Sequence, residues 1–200
     1  MFGEKPRTIE INGIRCPVDP DFRLMCELSA DGADRAEILS RFFFAGLPEG
    51  VTTEGAFDGA MKFYREGLTG SDGEESGENG SSLPCFDFGE DEGYFFAAFL
   101  SEYGIDLNRA KLHWFDFCAL FRGLPDDCRL KQIIGIRAAK ASEIPKHDKP
   151  RMMKLKRIYA LKKAREKRYE SVEERDRAMI EKTKKRYEEV KALKAKKVKG

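Results

Sequence analysis

Between Leu112 and Phe121 the sequence places Leu112, Trp114, Phe115, Phe117, Cys118, Ala119, Leu120 and Phe121 almost without a break, and any fold of this chain has to bury that run. A helix over it would be apolar on every side, which puts it inside a protein or across a membrane. The run is about half the 18 or so residues that a membrane span needs, and Asp116 and Arg122 interrupt its surroundings. Burial within a helical domain follows. The wider stretch from Ile105 to Pro125 holds the only Trp and, at His113, one of two His residues. Catalysis by His113 would need a positioned nucleophile or carboxylate. None is in view, so the expected role is a partly buried ring, within the helix, with a backbone or Asp partner.

The rest of the chain supplies elements to pack around that helix. Thr8–Ile11 and Ile14–Val18 flank Asn12-Gly13, and an Asn-Gly pair between short β-type segments predicts a hairpin because both turn positions accept positive φ. A lone hairpin is marginal in water, so it must lie on the helices that follow. Phe22, Met25, Cys26 and Ser29 are spaced as a helix beginning after Asp21. Asp31 or Asp34 can cap a second helix carrying Ile38, Leu39, Phe42 and Phe43, ended by Gly46-Leu-Pro48. A third helix, opened by Thr52 or Thr53, shows the repeat Phe57, Met61, Tyr64, Leu68. Tyr94, Phe95, Ala98, Phe99 and Tyr103 predict a helix over Glu90–Tyr103 with Gly104 as a left-handed cap. Asp106 or Asn108 is placed to start the buried helix, which ends at Gly123-Leu-Pro125. Asp126 or Asp127 is placed to cap a helix bearing Leu130, Ile133, Ile134 and Arg137. The last three helices, with short connections, should form an antiparallel packed set. The expected fold is mainly α, a compact bundle of about six helices with a small N-terminal β-hairpin and a long basic C-terminal helical arm.

Charge divides the chain in two. Residues 1–144 hold 15 Lys/Arg against 26 Asp/Glu, a net of −11, while residues 145–200 hold 22 against 9, a net of +13. We expect a helical body over 1–144 and a hinge with a basic helix over 145–200, Pro145 and Pro150 marking the hinge. Such an asymmetry suggests an interaction arm and permits it to fold back on its own acidic body. Within the body, 69–84 contains TGSDGEESGENGSS, which has no apolar residue to offset its ordering entropy and reads as a mobile acidic loop. The arm lacks Gly and Pro over 151–198. As one helix it would be about 70 Å long, and Ser171-x-x-Glu174 could divide it near Glu170. Its first part, with Met152, Leu155, Ile158, Tyr159 and Leu161, offers a face that could dock on the body. Its second part has only a thin seam, Val172, Met179, Val190 and Leu193, which does not license a coiled coil.

Chemistry-bearing patterns are few. The five cysteines, at 16, 26, 85, 118 and 128, include no CxxC pair, which argues against a disulfide framework or zinc ribbon and fits a reducing cytosol. The N-terminal MFGEKPRTIE has no apolar stretch of the kind a signal peptide needs. Asp87-Phe88-Gly89 spells a kinase tripeptide, but no glycine-rich loop or catalytic loop accompanies it, so a loop-to-helix junction is expected, with Glu90, Asp91 and Glu92 complementing a helix dipole. HExxH, GxSxG, Walker A and GxGxxG patterns are lacking. We therefore expect no enzyme, no cofactor and no metal. Lys162, Lys163, Arg165, Lys167 and Arg168 form a basic cluster able to contact phosphates. Interspersed Glu residues and the lack of an aromatic series make a solvated helix, or one binding an acidic protein surface, an equal reading.

From Phe86 to Arg137 the sequence reads FDF, then Asp91, Tyr94, Phe99, YGIDL at 103–107, LHW at 112–114, Phe117, GLP at 123–125, Ile133 and Arg137. With Asn12-Gly13 and Asp21-Phe22-Arg23 before it, this ordered set over most of 8–140 resembles the phage gene-product-fifteen family, encoded in the tail module of long-tailed phages with non-contractile tails. The resemblance implies a tail assembly chaperone or related morphogenesis factor, with the tape measure protein and the major tail (tube) protein as partners and self-association as a further option. It implies action in the host bacterial cytoplasm during assembly, absence from the mature virion, and no membrane. The acidic loop and basic arm depart from the family pattern. Nucleic-acid binding through the arm is the alternative. Candidate core or partner-binding residues are Tyr94, Phe99, Tyr103, His113, Trp114, Phe117 and Phe121.

Overall fold

The computed structural model describes residues 4–30, 33–69 and 85–162. Asp31, nearly all of the acidic loop 69–84 and the arm beyond Lys162, including Lys163, Arg165, Lys167, Arg168 and the thin seam, lie outside the described residues. Among those described, the architecture is a two-stranded antiparallel hairpin followed by seven helices, the mainly helical fold expected. No helix of the described residues is long and apolar enough to cross a membrane.

The hairpin pairs β1 (Thr8–Ile11) with β2 (Ile14–Pro17) around Asn12 at φ 52° and Gly13 at φ 81°. Both turn residues take the left-handed conformation that an Asn-Gly pair favours. Ile9 and Ile11 point at Gly59 of α3 (Thr53–Thr69), where the missing side chain lets the ribbon lie flat on the helix. Helix α1 (Phe22–Ser29) starts at Asp21, whose carboxylate accepts from the Arg23 N–H. Helix α2 (Arg35–Phe42) starts at Asp34, which accepts from Ala36 and Glu37. These caps satisfy N–H groups that have no partner inside the helix.

Helix α3 is turned by one position from the expected repeat. Ala56, Ala60, Phe63 and Gly67 are buried, and Phe57, Met61, Tyr64 and Leu68 flank them half-buried. The small residues win the inward face because they let α5 (Trp114–Arg122) approach closely. The Trp114 indole occupies the space a Gly67 side chain would need, and its Nε1 donates to the Tyr64 carbonyl at 3.1 Å. At its other end α5 caps α3, the Arg122 guanidinium donating to the carbonyls of Gly67 and Leu68.

Helix α5 begins at Trp114, later than expected. Asp106 and Asn108 belong to a preceding turn in which the Asp106 carboxylate accepts from the Asn108 N–H, so neither is free to cap the helix. His113 is the N-cap itself. Nor is α5 buried on every side. Trp114, Phe117, Cys118 and Phe121 are inside, whereas Ala119 and Arg122 are exposed.

Helix α4 (Glu92–Tyr103) ends as expected at Gly104, φ 66°, whose N–H returns to the Leu100 carbonyl at 3.0 Å. Helix α6 (Arg129–Ala138) is capped by neither Asp126 nor Asp127. A turn closed by the Cys128 N–H on the Pro125 carbonyl intervenes, leaving Cys128 at the N-cap without a side-chain bond. Helix α5 packs on α1 and α3, while α4 packs on α6. Rings join the two groups: Phe117 stacks on Phe22 at 4.7 Å and on Phe99 at 5.0 Å, and Phe95 meets Phe121 at 5.1 Å.

Pro150 does not belong to a hinge; it lies in the first turn of α7 (Lys149–Ile158), where a missing N–H costs nothing. Helix α7 packs on α6, although Ile158 of the face that could dock stays 50% exposed, and it stops at Ile158 instead of running on. Tyr159–Leu161 is non-helical. Leu161 is 6% exposed, and the Arg137 guanidinium donates to the Tyr159 carbonyl, so tertiary contacts override the helix propensity of this stretch.

Candidate partner-binding face on helix α4

Helix α4, EGYFFAAFLSEY, carries more apolar side chains than one inward face can take. Phe95, Ala98 and Phe99 enter the core. Phe96 is half-buried and Leu100 is 45% exposed. The helix is held rigidly from below. Asp91, its N-cap residue, is 1% exposed and receives two bonds from the Arg137 guanidinium, at 2.5 and 2.8 Å. Arg137 also donates to the Cys85 carbonyl at 3.2 Å, and the Asp87 N–H donates to the Asp91 carboxylate.

Asp87-Phe88-Gly89 is the loop-to-helix junction expected. The Asp87 carboxylate accepts from the N–H groups of Gly89 and Glu90, and Phe88 is buried against Phe86 and Phe95. Among the described residues no three His, Cys, Asp or Glu side chains are placed to hold a metal ion.

Two depressions flank the outer side of α4. One, of about 390 Å³, lies between α1, α4 and the turn at Leu107–Asn108. It reaches the rings of Phe22, Phe88, Phe95 and Phe117, with Glu27 and Glu92 also in its wall. The other, of about 650 Å³, lies between α4 and the start of α6. Tyr94, Ala97, Ser101 and Glu102 form one wall, Cys128 and Arg129 the other. Depressions that join apolar side chains to charged ones at their walls suit the apolar anchors of an amphipathic helix.

The expected site residues divide between this face and the core. Tyr94 lines the larger groove and Phe117 the base of the smaller cleft. Phe99, Trp114 and Phe121 are core side chains, with Trp114 wholly buried. Tyr103 is half-buried, with its hydroxyl donating to the Leu120 carbonyl at 2.8 Å, and burial raises its phenol pKa. Lys162 reaches the same face through its backbone, its N–H donating to the Glu90 carboxylate at 2.9 Å.

His113 has a backbone partner on each ring nitrogen. Nδ1 accepts from the Phe115 N–H at 3.1 Å, which leaves the proton on Nε2, 2.9 Å from the Pro6 carbonyl. Burial is the leading cause that lowers its pKa, with Lys5 and Arg7 adding to it and the Pro6 bond opposing. The ring fixes a helix start, both of its nitrogens being engaged by backbone groups.

Phe96 and Leu100 were not singled out in the sequence, nor was the pairing of Asp91 with Arg137, while Glu92 was read only as a helix-dipole charge and Cys128 only as one of five unpaired cysteines. A signal for the first two was present, since a helix apolar on nearly all sides and packed on one has a second face to cover.

A family model described as Bacteriophage Gp15 protein matches residues 4–161. No curated protein and no solved structure matches the chain.

Proposed function

Because the chain belongs to the Bacteriophage Gp15 protein family through residues 4–161, a membership that suggests a structural or morphogenetic role in a phage, we propose that it is a tail assembly chaperone. In this reading it has no enzymatic activity. It holds the tape measure protein soluble and brings tail-tube subunits to it in the host cytoplasm, and it is absent from the finished virion. The observation that supports the reading is the outer face of α4, with Leu100 exposed between two grooves and the half-buried Phe96 lining the smaller one. Reversible capture of amphipathic helices needs such a face on a rigid support, and the buried Asp91–Arg137 pair supplies the support.

Co-expression with the tape measure protein of the same phage tests it. Soluble yield of that protein should rise and the two should co-purify, with the Leu100→Asp variant losing both effects while remaining folded. Unchanged yield together with no co-purification rejects the proposal.

One observation favours a second reading, nucleic-acid binding through the basic C-terminal residues. From Lys149 to Lys162 there are six Lys/Arg and no Asp/Glu, and Arg151, Lys154 and Arg157 are exposed on α7. DNA or RNA retention that weakens steeply with salt would support it.

A further inference from the structure

The carboxylates that line the two depressions, Glu27, Glu90, Glu92 and Glu102, outnumber the cations there, Arg23 and Arg129. No Lys or Arg stands between Arg65 and Arg109 in the sequence, so α4 brings no positive charge of its own. The two arginines that line the depressions are already engaged. Arg23 donates to Asp21 and to the carbonyls of Leu107 and Ala110, and Arg129 donates to the Tyr159 hydroxyl. Glu27 is matched by Arg41, and Glu90 by the Lys162 N–H. Glu92 in the wall of the cleft and Glu102 in the wall of the groove have no cationic partner among the described residues, and both are exposed. In sequence Phe96 and Leu100 lie between these two carboxylates, and they sit one helical turn apart on the same side of α4.

We propose that this face takes a basic amphipathic helix of a partner protein, one that sets an apolar side chain into the aromatic cleft and lysines or arginines against Glu92 and Glu102. The proposal rests on the reading of the α4 face as the chaperone's binding surface and adds the chemistry of what binds there. A glutamate-flanked helix with the same apolar stripe would place like charges together at both rims, which opposes binding. The chemistry selects among helices that the apolar floor alone would accept equally.

Two labelled helical peptides with one apolar stripe, flanked by lysines in the first and glutamates in the second, are titrated with the full chain by fluorescence anisotropy. At low salt the lysine peptide should bind about tenfold tighter or more, a margin that shrinks as salt screens the rims. The double variant Glu92→Lys/Glu102→Lys should reverse the preference, and Leu100→Ser should weaken both peptides alike. Equal binding of the two peptides, or a preference indifferent to the charge reversal, overturns the proposal. A full chain carrying Lys163→Glu, Arg165→Glu, Lys167→Glu and Arg168→Glu should bind the lysine peptide unchanged. A rise of about tenfold or more there makes the chain's own basic segment the occupant and overturns the assignment to a partner. Lysine-peptide preference without co-purification of the tape measure protein supports the chemistry and removes only the chaperone reading. Co-purification that survives Glu92→Lys/Glu102→Lys leaves the chaperone reading and removes this one.

Discussion

Asp91 and Arg137 form an ion pair with side chains 1% and 10% exposed, while every other ion pair among the described residues is substantially solvated. The pair joins the N-cap residue of α4 to the last turn of α6, and Arg137 reaches two further segments through the carbonyls of Cys85 and Tyr159. Solvated pairs contribute at most about 1 kcal/mol. Losing one partner of a buried pair leaves the other charge uncompensated, so Arg137→Met should destabilise the protein by about 3–5 kcal/mol in urea denaturation. The double variant Asp91→Leu/Arg137→Met should recover a large part of that loss. A double variant as unstable as the single would mean that the pair contributes more than the removal of a stranded charge.

Gly67 in α3 should resist a substitution that helix propensity favours. Alanine gains roughly 0.8–1 kcal/mol over glycine in a helix interior, but its methyl would overlap the Trp114 indole. Overpacking of this kind costs about 1–3 kcal/mol, so Gly67→Ala should lower the melting temperature. From the other side of the contact, Trp114→Ala should cost about 3–5 kcal/mol through the cavity it leaves. A Gly67→Ala protein more stable than the parent by the roughly 0.8–1 kcal/mol of helix propensity would show that α5 can withdraw from α3 without penalty.

Acid should loosen the start of α5. The folded state holds the His113 pKa below its ordinary value of 6.5, burial being the first cause. A pKa depressed on folding means that the unfolded chain binds the proton more readily. The stabilisation is therefore complete above about pH 6.5 and is lost as pH falls through the folded value. Protonation also removes the Nδ1 lone pair that accepts from Phe115, and loss of an N-cap costs about 0.5–2 kcal/mol. His113→Asn, which retains a capping oxygen, should flatten the fall in stability between pH 7 and 5 measured by thermal melts. An unchanged slope would place the acid sensitivity elsewhere.

The thiols should separate by reactivity. Burial pushes Cys118 up to about 12 and raises Cys26 well above the ordinary thiol range, and only the thiolate alkylates readily. Cys85 and Cys128, both half-buried, should be labelled first by iodoacetamide at pH 8 and Cys118 only on unfolding. Because Cys128 lines the groove beside α4, a bound partner helix should protect it and leave Cys85 unaffected. Equal protection of both cysteines would move the binding surface off α4.

Local geometry was legible in the sequence where a residue type answers to one backbone conformation. Asn12-Gly13 turns the hairpin and Gly104 ends α4 because positive φ is what those residues tolerate. Candidate caps were legible only as a set of residue types. Asp21 and Asp34 cap helices, while Asp106 is spent inside a turn, and His113 serves in its place. The inward face of α3 was displaced by one position because close approach rewards Ala56, Ala60 and Gly67, which a count of large apolar residues overlooks. The Asp91–Arg137 pair and the break at Tyr159 depend on segments far apart in the chain, and no local pattern announces them. The candidate face on α4 was half legible: Tyr94 and Phe117 were among the residues chosen, while Leu100 became visible only when the core left it outside and Phe96 only when the core covered half of it.

The backbone of Pro20–Phe22 is bonded directly to that of Leu112–Trp114, with Trp114 N–H on the Pro20 carbonyl at 2.7 Å and Phe22 N–H on that of Leu112 at 3.2 Å. All of α2, α3 and α4 lies between these two segments in the sequence. On a ribosome the hairpin can close on α3, and α1 on α2, as soon as those helices emerge, but the face of α1 that packs on α5 stays uncovered until α5 has cleared the exit tunnel. At a synthesis rate of roughly 5–20 residues per second that wait lasts seconds, during which Phe22 lacks the Phe117 ring that covers it and is open to proteases and to other nascent chains. A nascent chain arrested before Trp114 should accordingly be cleaved readily within α1, and one arrested with the whole of α5 outside the tunnel should not.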